Sequence, residues 1–210
     1  MGQAEPCGRI TIVFFVIRPR FHSPEPRRAL AGEPYPSDNR LMDIIVIRHG
    51  IALEAEDAER LGLSDAERPL TPKGQRRTRA AGIGLRATLA GARIDDLVVS
   101  PLLRARQTAD ILAGYLDDPT IEEADVLAPP VDMQALDEFL HTHFGDRRLV
   151  LIGHEPDLAT WVSWSLTRRR DRLMAFKKAG AAMLEFPGPP EGGTGTLRWL
   201  LTAEQLRALG

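Results

Sequence analysis

The stretch "IIVIRHGIA" (residues 44–52) decides how this chain folds: a run of branched apolar residues stops abruptly at Arg48-His49-Gly50. Continuous apolar runs of this length, cut off by a polar break, read as strands buried on both faces, as in parallel sheets. Two later stretches repeat the scheme. "DDLVVSP" (95–101) gives a strand over 97–99, and "RLVLIGHEP" (148–156) gives one over 149–152. Helical stretches lie between them. "LTPKGQ" supplies Thr71 as N-cap and Pro72 as first helical residue, with Ala80, Ile83, Gly84 and Ala87 as the expected packed stripe. Ser100 and Pro101 read as cap and first residue of a second helix running to about Leu116, with Ala105, Ala109, Leu112 and Leu116 facing inward. A weak strand near 121–126 precedes a helix near 132–143, and another helix is expected over 157–166. "AAMLEF" (181–186) and "TLRWLL" (196–201) form a late hairpin around "PGPPEGGTG", followed by a short helix capped by Thr202. Alternation of this kind predicts an α/β fold with a mostly parallel central sheet over residues 42–210.

Ligands of open parallel sheets bind outside the carboxyl ends of the strands. Here three strand ends carry groups suited to an anion. Residues 43–47 lead to Arg48 and His49, residues 97–99 to Ser100 and then Arg104, and residues 149–152 to His154. A phosphoryl group fits such a set, because guanidinium groups offer forked donors to a tetrahedral oxyanion and a histidine can attack phosphorus. Flanking guanidinium charge keeps His49 neutral and so favours it as nucleophile, while His154 serves as a donor to the phosphoryl oxygens. Gly50 is expected to let the backbone pass close to substrate.

Composition bounds the rest. The chain has 210 residues, a net charge of −2 and a pI of about 6.2, which implies no general polyanion-binding surface and no nucleic acid partner. Cys7 is the only cysteine, so disulfides and thiolate zinc sites are excluded and a reducing, cytoplasmic setting is expected. Residues 1–41 hold 6 of the 16 prolines, and their apolar run "ITIVFFVI" is far shorter than the roughly 20 residues needed to cross a bilayer. They read as a weakly ordered extension, consistent with sequence upstream of a start at Met42. Their six basic and four acidic residues leave 21 against 25 for the remainder, a mildly acidic body of net −4.

"VIRHG", "SPLLRARQT" and "IGHEP" resemble, in order and spacing, the motifs of the histidine phosphatase superfamily, which includes the cofactor-dependent phosphoglycerate mutases. The short length, "RPLTPKG" (68–74) and the ending "LRWLLTAEQLR" look most like the small phosphohistidine phosphatases of the SixA type. The resemblance covers essentially residues 42–210. It implies a phosphoglycerate mutase-like three-layer α/β/α sandwich and a metal-independent, cofactor-free hydrolysis through a phosphohistidine intermediate. Carried over by motif, His49 is the phosphorylated nucleophile, and Arg48, Arg104 and His154 hold the phosphoryl group. The implied substrate is a histidine-phosphorylated protein of the phosphotransfer type.

Larger members of the superfamily place a carboxylic acid between the second motif and the late histidine to protonate an alkoxide leaving group. Here that stretch reads "EEADVLAPPVDMQ" (122–134), and Asp132 is better explained as a helix N-cap. A phosphoramidate needs less acid help than an alkoxide ester, for which such help contributes about 10²–10⁴ in rate. The absence therefore points to phosphohistidine. Glu155 stands as an alternative acid, which keeps a sugar- or nucleotide-phosphate esterase open, and a non-catalytic phosphoprotein-binding module is the remaining alternative. From "FKKAG" (176–180), Lys177 or Lys178 is expected to reach the phosphate pole, with Lys177 as the substrate-binding candidate. Gln107 and Thr108 are expected to orient Arg104. Trp161 and Trp164 are expected to pack, and the arginines of "TRRRDR" (167–172) to form solvated surface.

Overall fold

Strand β1 (Met42–Arg48) lies at the middle of a six-stranded mixed sheet in this computed structural model, which describes residues 41–144 and 147–210. The extension expected over 1–41 falls, Leu41 aside, outside the described residues. The remaining strands are β2 (Asp96–Val99), β3 (Thr120–Glu123), β4 (Leu149–Gly153), β5 (Ala181–Phe186) and β6 (Thr196–Leu201). Their spatial order is β3-β2-β4-β1-β5-β6. The β3–β2, β2–β4 and β4–β1 pairs are parallel, whereas β5 and β6 close one side antiparallel, as the hairpin reading predicts.

The helices are α1 (Ala55–Arg60), α2 (Pro72–Leu89), α3 (Leu103–Ala113), α4 (Met133–Phe144), α5 (Asp157–Thr167) and α6 (Ala203–Leu209). The central strands are apolar along their middles, with Asp43 and Asp96 only at the edges of the runs, because both of their faces are covered. Successive side chains point to opposite faces. Ile44, Val46, Val98, Leu149 and Leu151 join α4 and α5 in one core, while Ile45, Ile47, Leu97, Val99, Val150 and Ile152 join α2, α3 and α6 in the other. Helix, sheet and helix thus form three layers. Fully burying each such side chain contributes about 1.5–3 kcal/mol, so the central strands anchor everything that projects from their ends. Among the described residues no helix is long and apolar enough to cross a membrane.

Two helical expectations need correction. The second helix starts at Leu103 rather than Pro101, because residues 100–102 turn before the helix begins and free Ser100 for another partner. The α2 stripe is Thr78, Ala81, Leu85 and Leu89, so Ile83 faces solvent at 48 % exposure and Ala87 is exposed as well. Small residues mislead here: α2 packs through Gly82 against Tyr115 and through Gly84 against the backbone of α6. The Thr71 cap holds as read, its hydroxyl accepting from Gly74 N at 3.0 Å. Asp132 also caps as read, its Oδ1 accepting from Gln134 N and Ala135 N at 2.9 Å each.

Trp161 and Trp164 pack as expected, and both indole N–H groups donate to the buried Asp137 carboxylate, at 2.9 and 2.8 Å. Burial pushes the Asp137 carboxyl up, with the two indoles opposing the shift.

A Cβ at Gly84 would overlap the Leu206 carbonyl oxygen, a backbone atom that cannot step aside. Gly84→Ala is expected to cost about 1–3 kcal/mol and lower Tm by about 2–12 °C in a thermal melt.

Candidate active site

The carboxyl ends of β1, β4 and β2 are stitched together in register. Arg48 pairs with Gly153 across the β1–β4 ladder, His49 N donates to Gly153 O at 3.1 Å, and Ser100 N donates to Ile152 O at 3.0 Å. Each strand end therefore delivers its polar residue to one pole. The His49 and His154 ring centroids lie 5.0 Å apart with planes tilted by 51°. His49, His154 and Arg104 are 3, 4 and 6 % exposed. Arg104 comes from the first turn of α3, where its charge opposes the helix dipole. It donates through Nη1 to Asp65 O at 2.6 Å and through Nη2 to Asp65 Oδ2 at 3.0 Å. Arg48 donates through Nη1 to Phe176 O at 2.7 Å. Arg48 Nε and His154 Nδ1 are buried without a hydrogen-bond partner among the described residues, two polar atoms of one cluster left unsatisfied.

The protonation of His49 follows from its neighbours. Nδ1 lies 2.7 Å from the Gly50 carbonyl, which can only accept, so Nδ1 carries the proton and Nε2 keeps its lone pair. Burial, then Lys178, His154 and Arg104, pull the His49 pKa down to about 2, against the Gly50 hydrogen bond. Burial and then Arg104 lower His154 to about 3, while Asp65 opposes. His154 Nε2 is 2.8 Å from Ser100 Oγ, the partner for which the turn at 100–102 frees this hydroxyl. Both imidazoles are thus neutral throughout the physiological range.

Five groups on neighbouring segments complete the pole. Lys178, rather than Lys177, reaches it: Lys178 Nζ stands 3.3 Å from His49 Nε2, whereas Lys177 is exposed. The expectation for Lys177 is off by one residue because a turn, with Ala179 at φ 58°, sets which lysine faces inward. Asp65, in a short turn that the sequence does not mark as part of the site, anchors both Arg104 and Arg68. Burial would raise its pKa, but hydrogen bonds from Arg68 and Arg104 outweigh that and hold it below the usual range. Thr108 accepts from Gly50 N at 3.0 Å and donates to Arg104 O at 2.7 Å, tying the α3 turn to the His49 strand end. Gln107 Oε1 accepts from Leu70 N at 2.7 Å. Glu155 Oε1 accepts from Phe176 N at 2.5 Å, and its charge acts on Arg48.

Packing alone calls for a glycine at position 50. A Cβ there would sit 2.5 Å from Thr78 Oγ1 and 3.2 Å from Leu70 Cδ2, so the crowding comes from α2 and from Leu70, two residues ahead of it. Among the described residues no three His, Cys, Asp or Glu side chains come together in a way that could hold a metal ion.

Residues 44–128, which include the "VIRHG" and "SPLLRARQT" segments, match the histidine phosphatase superfamily (branch 1). The chain belongs to the histidine phosphatase superfamily. An uncharacterised protein of Picosynechococcus sp. is 36 % identical over 141 residues, covering 66 % of this chain and 82 % of that protein. The phosphohistidine phosphatase SixA of Escherichia coli is 26 % identical over 169 residues, covering 79 % and 97 %. A solved structure of the protein histidine phosphatase SixA complexed with tungstate superposes with a TM-score of 0.66 at 26 % identity, covering 79 % of this chain and 99 % of that one. An Entamoeba histolytica phosphoserine phosphatase shares the fold at 16 % identity, with a TM-score of 0.55 over 79 % and 99 % of the two chains. This histidine phosphatase is thus a phosphatase with the phosphoglycerate mutase-like fold.

The lowered histidine pKa values carry a stability consequence. An imidazole held neutral in the fold but basic at about 6.5 when unfolded gives the unfolded state more protons as pH falls. The contribution of His154 is therefore present above about pH 6.5 and is lost as pH falls toward about 3. The Tm difference between wild type and His154→Gln is expected to shift in favour of the variant over that window, as read by melts across pH. In NMR, the His49 and His154 ring signals are expected to stay at their neutral positions from pH 8 down to about pH 5.

Proposed function

We propose that this phosphatase hydrolyses phosphohistidine on a protein substrate, using His49 as nucleophile. The observation that carries the reading is the neutral His49 Nε2 set among Arg48, Arg104, His154 and Lys178, with the neighbouring carboxylates already engaged. Asp132 caps α4, Glu155 holds the Phe176 amide, and Asp65 is held ionised on Arg104 and Arg68. In the first step the Nε2 lone pair forms an N–P bond while the substrate's P–N bond breaks. Its electron pair goes to the leaving imidazole, which takes a proton from solvent. Arg48, Arg104 and His154 stabilise the charge on the three phosphoryl oxygens. Water then attacks phosphorus, the His49 N–P bond breaks, and phosphate leaves. The similarity to SixA, whose structure holds tungstate, a tetrahedral oxyanion, supports this substrate class.

An ester substrate is the second reading, favoured by one observation. Asp157 opens α5 just past His154, and burial raises its carboxyl pKa against a hydrogen bond with the Val131 backbone. A carboxyl raised in this way is suited to protonating an alkoxide.

Phosphate release from a histidine-phosphorylated carrier protein and from p-nitrophenyl phosphate separates the two. We expect faster release from the carrier, none with His49→Ala, and a loss of about 10²–10³ in kcat with Arg104→Ala. Faster ester cleavage that Asp157→Asn abolishes would establish the ester reading instead.

A further inference from the structure

Lys178 stands at the pole under electrostatic opposition. Its turn is bolted to the backbone of the Arg48-His49 pair: Ala179 N donates to Arg48 O at 3.0 Å and to His49 O at 3.2 Å, and Gly180 O accepts from Arg48 N at 3.1 Å. Gly180 N closes the turn on Lys177 O at 2.8 Å. The lysine is thereby fixed beside His49, half-buried, with Arg48, Arg104 and Arg68 all repelling it and Glu54 attracting it more weakly. Burial first, then those three guanidinium groups, bring its pKa to about 8. Among the described residues it forms no ion pair with a carboxylate, and its hydrogen-bond contact is His49 Nε2 at 3.3 Å. A cation held at such a position for stability alone would be an unfavourable choice, which directs attention to its contact atom.

That atom is the lone pair left on His49 by the Gly50 carbonyl. Nε2 has one lone pair, and a nitrogen that accepts a hydrogen bond from an ammonium cannot use the same pair to attack phosphorus. We propose that Lys178 caps His49 Nε2 in the free enzyme and hands its hydrogen bond to an oxygen of the arriving phosphoryl group, so that substrate itself uncovers the nucleophile. The inference rests on the assignment of His49 as nucleophile. No covalent bond changes in the exchange: the ammonium keeps its three protons and trades a neutral acceptor for an anionic one. Charge-assisted hydrogen bonds to an oxyanion are the stronger kind, which gives the exchange its direction. A phosphoryl dianion competes for the ammonium better than a phosphodiester, which has fewer charged oxygens to offer. The cap therefore selects for terminal phosphoryl groups.

The test uses the whole chain with ¹⁵N-labelled histidine, together with Lys178→Met and Lys178→Arg. In Lys178→Met the His49 Nε2 resonance is expected to move to the position of an unbonded imidazole nitrogen. Its kcat/KM for a phosphohistidine carrier is expected to fall by about 10²–10³. The wild-type kcat/KM is expected to decline above about pH 8, as the ammonium is lost, and Lys178→Arg to remove that decline. An Nε2 resonance unmoved in Lys178→Met, or the same alkaline decline in Lys178→Arg, overturns the inference even where wild type cleaves phosphohistidine. A wild type that cleaves only esters, but whose Nε2 resonance moves in Lys178→Met, overturns the phosphohistidine reading and supports the cap.

Discussion

Positive charge crowded at one edge of a sheet is the constraint from which the rest of this structure follows. Arg48, Arg104, Arg68 and Lys178 bring four cationic groups toward two buried imidazoles. Such a set repels itself, and the chain answers in three ways. It keeps both histidines neutral. It grounds the guanidinium groups on oxygens from segments outside the sheet, Asp65 for Arg104 and Arg68, and Phe176 O for Arg48. It also supplies the rigidity from below, through central strands that have no solvent face on either side.

The pole accordingly has two tiers. The inner tier sits on strand ends and on the first turn of α3, where the sheet register and the Thr108 bridge fix positions. The outer tier sits on loops: the 65–67 turn and the 176–180 turn place Asp65, Arg68 and Lys178 against the inner tier through backbone and side-chain hydrogen bonds. Glu155 links the tiers, since it follows His154 directly and holds the Phe176 amide.

This division also explains what the sequence made legible. Strands, sheet side and the inner tier were readable because a continuous apolar run ending in a polar residue states both burial and position. Arg48, His49, Arg104 and His154 come together as expected for that reason. The outer tier was not readable in the same way. Asp65 meets Arg104 across 39 residues, and nothing local marks it apart from other surface acids. Choosing between Lys177 and Lys178 required a left-handed backbone angle at Ala179, a residue type that gives no such warning. Ser100 looked like a cap because Ser-Pro usually is one, yet its hydroxyl serves His154. The α2 stripe was misplaced because close packing through glycines hides the buried face from any pattern based on apolar size.

The packing around Gly50 separates inheritance of the fold from inheritance of the chemistry. Its missing side chain answers to Thr78 and Leu70, both on the core side, whereas the histidine before it answers to the pole. A descendant that lost His49, the proposed nucleophile, would still be under pressure to keep the glycine, since the helix beneath would not have moved. In divergent relatives, then, the last letter of the arginine-histidine-glycine triplet reports architecture, and the first two letters report the pole.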